Sequence, residues 1–299
     1  MKKLIDFLQS HNISFEKNVS GAKLCSFRVG GNVGVFVKPR CASEVQLLCD
    51  FIGENKIKSI LLGKGSNVVI SDDGYDGAVI SLSEISAVEI SENTITVGAG
   101  ASMFNLAVAA EKAELSGLEF AHGIPGSVGG GAYMNAGAYG GEMCQVITNV
   151  ICYDRERGAL LNLNNDECKF SYRHSIFQEN KNLAILFVKL ALQKGERSEI
   201  RAKMDEYKAK RVAAQPLEYP SAGSTFKRPE GHFAGKLIED AGLKGFKIGG
   251  AQVSEKHAGF VINRGGATAD DIKKLVGHIQ KEVKEKFDIA LECEIEFIE

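Results

Sequence analysis

The chain has 299 residues, of which 44% are hydrophobic and 25% are charged. This composition excludes a disordered chain, and the length predicts one large domain or two to three smaller ones. The formal net charge is −2 at pH 7, and the lack of a basic block argues against a nucleic-acid-binding surface and favours a small-molecule ligand.

The N-terminal segment carries no targeting pattern. Residues 1–10 are amphipathic, Asp6 interrupts them, and no apolar run in the chain approaches the roughly 20 residues that span a bilayer. The seven cysteines include no C-x-x-C pair, which is typical of reduced cytosolic thiols. The six histidines form no ligand pair. We therefore expect a cytoplasmic protein with no membrane segment and no metal site.

The first half of the chain alternates short apolar strands with amphipathic helices. A helix is predicted from about Ser43, which forms a capping-box pattern with Gln46, and another helix is predicted from Ser102. Period-two and short apolar runs predict strands at residues 59–62, 68–70, 78–82, 86–90 and 94–97.

The second half continues to alternate strands and helices and then, from Pro220 onward, changes to glycine-rich loops with short elements. Strands are predicted at residues 146–153, 160–163 and 184–192, and a charged helix from residue 198 to about residue 212 is expected to connect domains. A last helix places Ile272, Leu275, Val276, Ile279, Val283 and Phe287 on one face. Residues 289–299 alternate strictly between apolar and polar residues, which predicts that the tail joins a sheet.

Two glycine-rich runs dominate the sequence, at residues 62–74 and 123–140. Glycine permits positive φ and lets a ligand reach backbone N–H groups, so two such loops predict a clamp around a pyrophosphate and hence a nucleotide cofactor. Neither run has Rossmann or Walker spacing. The S-x-x-K pattern from Ser224 to Lys227 leaves an acyl-transferring hydrolase as an alternative, although its S-D-N and K-T-G partners are absent.

Seven segments, three of them within these two runs, follow one another along the chain. They are Gly63-Lys-Gly-Ser-Asn67, Gly123-Ile-Pro-Gly-Ser-Val-Gly-Gly130, Met134-Asn-Ala-Gly-Ala-Tyr-Gly140, Ser171-Tyr-Arg-His-Ser-Ile-Phe177, Pro220-Ser-Ala-Gly-Ser-Thr-Phe-Lys-Arg-Pro229, Ala234-Gly-Lys-Leu-Ile-Glu-Asp-Ala-Gly-Leu-Lys-Gly245 and His257-Ala-Gly-Phe-Val-Ile-Asn263. From about Phe27 to Glu294 the chain resembles the UDP-N-acetylenolpyruvoylglucosamine reductases, the MurB family, in the subtype that lacks an extra tyrosine loop.

The resemblance implies a fold and an activity. The fold is α+β, with a vanillyl-alcohol-oxidase-type FAD-binding unit in two subdomains and a smaller α+β substrate-binding domain. The expected boundaries are residues 1–76 with the C-terminal strand 288–299, residues 77–195, and residues 196–287. The implied reaction is FAD-dependent reduction of UDP-N-acetylenolpyruvoylglucosamine to UDP-N-acetylmuramate in peptidoglycan precursor synthesis. The sequence shows no nicotinamide fingerprint, so NADPH as hydride donor rests on the resemblance.

Three residues match catalytic positions of the family. Arg173 is implied to bind the substrate carboxylate, for which its planar guanidinium is suited. Ser224, which follows Gly223, is implied to be the proton donor, and Glu294 is implied to assist as an acid or hydrogen-bond donor. Cys293 stands where the family often has proline, which leaves the register of the glutamate intact.

The resemblance also assigns the remaining site residues. The two glycine runs become the FAD pyrophosphate clamp, with expected contacts from Gly63, Gly65, Ser66, Asn67, Gly123, Ser127, Gly129 and Gly130. Expected contacts to the UDP part of the substrate are Arg228, Lys236, Lys244, His257 and Asn263, and Arg211 is a further cation. The sequence also leaves open a non-catalytic nucleotide-binding module and an alcohol or sugar oxidase on the same flavin fold.

Overall fold

The computed structural model describes residues 1–299. Helices and strands are interspersed along the chain, as the expected α+β class requires. No helix combines the length with the hydropathy that a bilayer crossing demands. The α-helices are α1 (Lys2–Ser10), α2 (Ala42–Glu54), α3 (Met103–Lys112), α4 (Val128–Tyr133), α5 (Ile176–Glu179), α6 (Arg197–Ala214), α7 (Ala234–Asp240) and α8 (Ala269–Phe287).

The strands form two larger sheets and several small ones. The strands are β1 (Ser14–Ser20), β2 (Asn32–Lys38), β3 (Ser59–Leu62), β4 (Val68–Ile70), β5 (Tyr75–Ser81), β6 (Val88–Ser91), β7 (Thr94–Gly98), β8 (Leu115–Ser116), β9 (Gly137–Ala138), β10 (Gly141–Glu142), β11 (Ile147–Asp154), β12 (Ala159–Asn164), β13 (Leu183–Ala191), β14 (Gln193–Lys194), β15 (Lys247–Ile248), β16 (Ala251–Val253), β17 (Val261–Asn263) and β18 (Glu296–Ile298). The larger sheets have the orders β1-β2-β5-β3 and β12-β11-β13-β7-β6, and a three-stranded sheet has the order β15-β16-β17.

The chain divides into two compact units, each assembled from separate stretches of sequence. The first unit holds residues 1–17, 34–64 and 77–210, and the second holds residues 18–33, 65–76 and 211–299. Each unit has its own cluster of buried hydrophobic side chains. The three-part boundaries predicted from the sequence stay a prediction.

The core of the first unit rests on an antiparallel sheet. Strand β13 pairs with β11 on one side and with β7 on the other, and buried valines such as Val97, Val150 and Val188 come from these strands. Burying one such side chain contributes about 1.5 kcal/mol or more. Helix α3 begins after Ser102, whose hydroxyl accepts a hydrogen bond from the Asn105 amide, so the predicted helix start is confirmed.

The predicted capping box at the second helix is wrong. Helix α2 begins at Ala42 after Cys41, which makes no side-chain cap. Ser43 therefore lies inside the first turn, and its hydroxyl contacts the Cys41 thiol at 3.1 Å instead of capping an amide. The helix itself is present, and it packs into the core through the fully buried Val45 and Leu48.

The end of the chain forms a strand of the second unit. Strand β18 pairs in parallel with β4, with Glu296 opposite Val68, so the prediction that the tail joins a sheet is confirmed. The last helix, α8, buries the predicted apolar face with one exception: Phe287 is exposed. Phe287 is wrong as a core residue because it is the final helical residue, where the chain leaves the packed face.

His122 is a buried polar residue of the first unit with a ring nitrogen that makes no hydrogen bond. Its ring is only 6% exposed and packs against Phe104, with 4.8 Å between the ring centroids. Its Nδ1 atom has no hydrogen-bond partner within the chain. Burial lowers the pKa of His122, and the positive charges of Arg201 and Lys208 lower this pKa further. The imidazole is therefore neutral at pH 7.

We predict that His122 makes the stability of the protein depend on pH. Because the pKa of His122 is lower in the folded chain, the unfolded chain binds the proton first as the pH falls. The stabilisation is complete above about pH 7 and is lost as the pH falls through about 6.5 towards the folded pKa. His122→Gln should therefore flatten the decrease in unfolding free energy between about pH 7.5 and about pH 5.5.

Urea unfolding followed by circular dichroism measures this free energy at each pH. His232→Gln is the control, because His232 is exposed, and it should keep the wild-type slope. Identical slopes for wild type and His122→Gln would contradict the prediction.

Candidate active site

Arg173 occupies a strained turn in the first unit. It is the third residue of a four-residue turn from Ser171 to His174, in which the His174 amide donates to the Ser171 carbonyl at 3.1 Å. Its φ is +54°, a left-handed conformation that costs a residue with a side chain about 1–2 kcal/mol. Such a conformation persists only where the surrounding contacts hold it.

The second glycine run supplies those contacts to the arginine side chain. The guanidinium of Arg173 donates to the Gly137 carbonyl at 2.8 Å and lies 3.4 Å from the Asn135 carbonyl oxygen. The ring of Tyr172 lies 5.1 Å from the guanidinium carbon. The segments around residues 135 and 173, which belong to two different sequence motifs, therefore meet and fix the direction of this side chain.

Asn135 is a buried centre of this arrangement that sequence analysis did not single out. Its side chain is fully buried. Its amide nitrogen donates to the Ser171 carbonyl at 2.9 Å and to Glu142 at 3.1 Å, and its oxygen accepts from the Cys144 amide at 2.9 Å. The only sequence clue was its place within the segment from Met134 to Gly140, which said nothing about these partners.

The two glycine runs also meet within the first unit. A β-carbon built at Gly63 would lie only 2.5 Å from the Ser127 hydroxyl. That hydroxyl caps α4 by accepting from the Gly130 amide at 3.2 Å, and the Gly129 amide donates to the Ala99 carbonyl at 2.8 Å. The amides of residues 129 and 130 therefore already have partners in the chain, and the expected role of this run in cofactor binding stays a prediction. Gly123 ends the 3₁₀ turn that precedes the run.

The rest of the first glycine run lies in the second unit, where it supports the C-terminal strand. Gly65 has a φ of +62°, and a β-carbon there would lie 1.8 Å from the Leu24 carbonyl oxygen. After Ser66, the Asn67 side chain donates to the Glu294 carbonyl at 2.9 Å. The Glu296 amide donates to the Asn67 carbonyl at 3.0 Å. One end of the predicted cofactor loop is thus hydrogen-bonded to the C-terminal segment that carries Glu294.

Ser224 and Glu294 lie on neighbouring extended segments of the second unit. The Glu294 amide donates to the Thr225 carbonyl at 2.9 Å, and Phe226 forms an antiparallel bridge with Cys293. Thr225 is fully buried, and its hydroxyl accepts from the Val261 amide at 2.9 Å. This anchor leaves Ser224 exposed at the surface.

Gly223, which directly precedes Ser224, has a left-handed backbone conformation. Gly223 has a φ of +75°, and no atom lies within 4 Å of a β-carbon built there. Of the three predicted catalytic residues, Ser224 and Glu294 lie on segments of the second unit that are hydrogen-bonded to each other, and Arg173 belongs to the other unit.

The predicted cations for the UDP diphosphate all lie in the second unit. Lys236 pairs with Asp240 at 2.6 Å, and Lys244 pairs with Glu239 at 3.0 Å. Arg228 stacks over the exposed ring of Phe233, with its guanidinium carbon 4.8 Å from the ring centroid. The two lysine ion pairs are solvent-exposed, so each contributes only about 0–1 kcal/mol.

The two uncharged candidates are more tightly held. The Nδ1 atom of His257 accepts from the Gly259 amide at 3.1 Å, and burial lowers the pKa of His257. The ring is therefore neutral at pH 7 and carries its proton on Nε2. Asn263 is buried and uses its side chain within the protein. It donates to the Phe27 carbonyl and accepts from the amides of Gly265 and Ala267.

The S-x-x-K pattern has a geometry unlike that of a serine nucleophile with a lysine base. Residues 224–227 are not helical, so the helical spacing that would place Ser224 and Lys227 on one face of a helix is absent. The Lys227 ammonium is paired with Glu292 at 2.6 Å. The hydrolase alternative therefore has no structural support.

Comparison with known proteins identifies two family profiles in the chain. Residues 33–164 match the profile described as FAD binding domain. Residues 215–298 match the profile described as UDP-N-acetylenolpyruvoylglucosamine reductase, C-terminal domain. The FAD-binding assignment and the reductase assignment thus fall on successive parts of the same chain.

Curated relatives match over nearly their whole length. The UDP-N-acetylenolpyruvoylglucosamine reductase of Latilactobacillus sakei subsp. sakei (strain 23K) is 45% identical over 295 residues, covering 98% of this chain and 96% of that protein. The reductase of Caldanaerobacter subterraneus subsp. tengcongensis is 48% identical over 273 residues, covering 91% of this chain and 90% of that protein.

A solved structure is also similar in fold. The crystal structure of UDP-N-acetylenolpyruvylglucosamine reductase (MurB) from Thermus caldophilus has a TM-score of 0.82 and 32% identity, covering 96% of this chain and 100% of that chain. The expected α+β fold with a vanillyl-alcohol-oxidase-type FAD-binding unit is confirmed by this similarity and by the profile match.

We predict that Gly65→Ala is strongly destabilising. The added β-carbon would collide with the Leu24 carbonyl, and the alanine would also have to adopt positive φ. The unfolding free energy should therefore fall by more than about 3 kcal/mol. Gly231→Ala is the matched control, because Gly231 also has positive φ but nothing lies within 4 Å of its added β-carbon. It should lose only about 1–2 kcal/mol. Equal losses in urea unfolding would contradict the steric argument.

We also predict that Lys227 is dispensable for folding. Lys227→Met removes only the ion pair with Glu292, whose carboxylate is mostly exposed, so the unfolding free energy should fall by about 1 kcal/mol or less. The wild-type protein should show no mass increase after incubation with a β-lactam. A covalent adduct on Ser224 that disappears in Lys227→Met would instead establish acyl transfer.

Proposed function

This chain belongs to the UDP-N-acetylenolpyruvoylglucosamine reductase (MurB) family, and we propose that Arg173, Ser224 and Glu294 are its catalytic residues. The family resemblance inferred from the sequence is confirmed. The protein is an FAD-dependent oxidoreductase that reduces UDP-N-acetylenolpyruvoylglucosamine to UDP-N-acetylmuramate with NADPH, a step of peptidoglycan synthesis.

We propose that FAD binds against the glycine runs, whose residues carry little side chain. The space beside Gly63 is so narrow that a β-carbon there would meet the Ser127 hydroxyl. We propose that this Gly63–Ser127 contact and the Gly65–Asn67 segment hold the diphosphate of FAD. When bound, FAD takes hydride from NADPH and supplies it to the substrate.

The chemistry of the substrate defines what the protein must provide. Reduction of an enolpyruvyl ether adds a hydride at C3 and a proton at C2, and the substrate carboxylate carries the charge that develops between these two steps. A cation at the carboxylate stabilises this charge. Arg173 suits this role because its planar guanidinium can make two parallel hydrogen bonds to a carboxylate.

The proton must come from a group fixed beside C2. A serine hydroxyl is a weak acid, so Ser224 can donate only to a strongly basic carbon and only from a fixed position. The buried Thr225 anchors this position from the adjacent residue. Glu294, whose backbone is hydrogen-bonded to Thr225, is proposed to assist as an acid or hydrogen-bond donor near the same carbon.

The observation that carries this proposal is the hydrogen bond from the Glu294 amide to the Thr225 carbonyl. It holds the two acid groups on adjacent segments although they are far apart in sequence. In the first unit, the hydrogen bond from the Arg173 guanidinium to the Gly137 carbonyl fixes the direction of the arginine side chain. This supports the proposed role of Arg173 in binding the substrate carboxylate.

The UDP part of the substrate is proposed to bind in the second unit. Arg228, Lys236 and Lys244 supply positive charge, and phosphate oxygens can replace the exposed carboxylates that now pair the two lysines. His257 offers a neutral N–H donor. Asn263 keeps the surrounding loops in place.

Two finer points also remain proposals. We propose the three-domain boundaries given by the resemblance, with the C-terminal strand completing the first subdomain. We also propose a cytoplasmic location, since NADPH and UDP-sugars are the small molecules on which the reaction depends.

We predict that Ser224→Ala separates the two half-reactions. Bleaching of the flavin by NADPH should proceed within about threefold of the wild-type rate, because no proton has to reach C2 in this step. Reoxidation of the reduced flavin by the UDP-sugar substrate should slow by about 100-fold or more, the range for loss of a general acid. Stopped-flow absorbance of the purified holoenzyme measures both rates.

Ser224→Cys is the matched variant, because its thiol can still donate a proton and should recover part of the reoxidation rate. Equal slowing of both half-reactions in Ser224→Ala would exclude Ser224 as the proton donor. A purified protein that binds no flavin would contradict the function itself.

A further inference from the structure

We propose that Gln178 is a positioning residue for Arg173, and that its side-chain amide sets where the arginine meets the substrate carboxylate. The inference rests on the proposed role of Arg173. It concerns the geometry of the first unit only and involves a side chain to which the sequence motifs assigned no role.

Gln178 bridges two backbone carbonyls that belong to different parts of the site. Its amide nitrogen donates to the Arg173 carbonyl at 3.0 Å and to the Tyr133 carbonyl at 2.9 Å. Tyr133 is the last residue of α4, the helix that Ser127 caps. Both hydrogens of the amide are therefore used, and the arginine turn is connected to the end of the glycine-run helix.

The backbone that carries the Gln178 side chain is anchored in the core of the first unit. Gln178 lies on the short helix α5, where the neighbouring Phe177 is fully buried in the core. The Ile176 amide donates to the carbonyl of the buried Cys168 at 2.8 Å. A side chain that extends from such an anchored turn can hold its two acceptors at a defined separation.

The strain at Arg173 explains why such a connection is needed. A left-handed residue with a side chain tends to relax to negative φ unless its neighbours oppose the rotation. Rotation about φ and ψ of Arg173 would move its carbonyl away from Gln178 and its guanidinium away from Gly137. The amide of Gln178 resists the first movement directly, because it holds that carbonyl.

The consequence for catalysis follows from the distance dependence of transition-state stabilisation. A bidentate contact requires the guanidinium to lie within a few tenths of an ångström of its best position, and a displacement of about 1 Å can cost about 100-fold in rate. Gln178 does not touch the substrate in this proposal. It acts through Arg173, so its removal should affect only the step in which Arg173 acts.

Gln178→Met is the test, because methionine has a similar length and volume but no hydrogen-bond donor. Reoxidation of the reduced flavin by the UDP-sugar substrate should slow by about 10- to 100-fold, and reduction by NADPH should stay within about threefold of wild type. Ser175→Ala is the matched control. The Ser175 hydroxyl also donates to the Tyr133 carbonyl, at 2.6 Å, but it does not hold the Arg173 carbonyl, so this variant should keep both rates.

A double-mutant cycle shows whether Gln178 works through the arginine. In the Arg173→Lys background, Gln178→Met should slow reoxidation no further, because the group that it positions has been removed. Multiplied effects of the two substitutions would overturn the proposal, as would equal slowing of both half-reactions or a wild-type reoxidation rate in Gln178→Met.

Two results separate this inference from the function on which it rests. If Arg173→Lys alone leaves reoxidation unchanged, the proposed role of Arg173 fails. If Arg173→Lys slows reoxidation but Gln178→Met does not, only the positioning role fails. Should Gln178→Met lose its flavin, the shorter but still donating Gln178→Asn replaces it, and loss of flavin from both variants would assign Gln178 to folding and overturn the proposal.

Discussion

The hydrogen bond from the Asn67 side chain to the Glu294 carbonyl joins the first glycine run to the C-terminal segment of the second unit. The final strand pairs with β4 inside this run, and the Glu296 amide donates to the Asn67 carbonyl. The same final segment hydrogen-bonds to Thr225 through the Glu294 amide. One short stretch of chain therefore connects the predicted cofactor loop, the proposed proton donor and the proposed acid.

In the first unit the corresponding constraint is the left-handed turn at Arg173. Its conformation is unfavourable by itself, and hydrogen bonds to the carbonyls of the second glycine run offset the cost. Asn135 is left-handed as well, with a φ of +42°, and its buried side chain binds the Ser171 carbonyl at the start of the turn. An isolated peptide of this sequence would not be expected to adopt the turn, so its geometry is a property of the folded unit.

Sequence alone predicted much of the fold and the family, but little of what holds the site together. Strands β3 and β4 were predicted at their observed bounds, because each is a short apolar run bordered by glycine or polar residues. The capping box at Ser43 was wrong because a local pattern cannot show where the helix actually starts. Gln178 and Asn135 were missed because each binds a backbone carbonyl distant in sequence, that of Tyr133 and that of Ser171 respectively, and a sequence does not show which carbonyl a side chain will meet.

Two of the proposed catalytic residues, Arg173 and Glu294, and two of the proposed diphosphate ligands, Lys236 and Lys244, differ in how firmly the fold holds them. Transition-state stabilisation depends steeply on distance, and Arg173 and Glu294 have main-chain or guanidinium hydrogen bonds that fix them. Diphosphate binding depends mainly on charge, which acts over longer distances and tolerates movement. Lys236 and Lys244 accordingly sit at the surface in exposed pairs with carboxylates. Because an exposed pair contributes so little, exchanging a carboxylate partner for a phosphate oxygen costs the protein almost nothing, so the proposed diphosphate ligands can move with the substrate while the proposed catalytic groups stay in place.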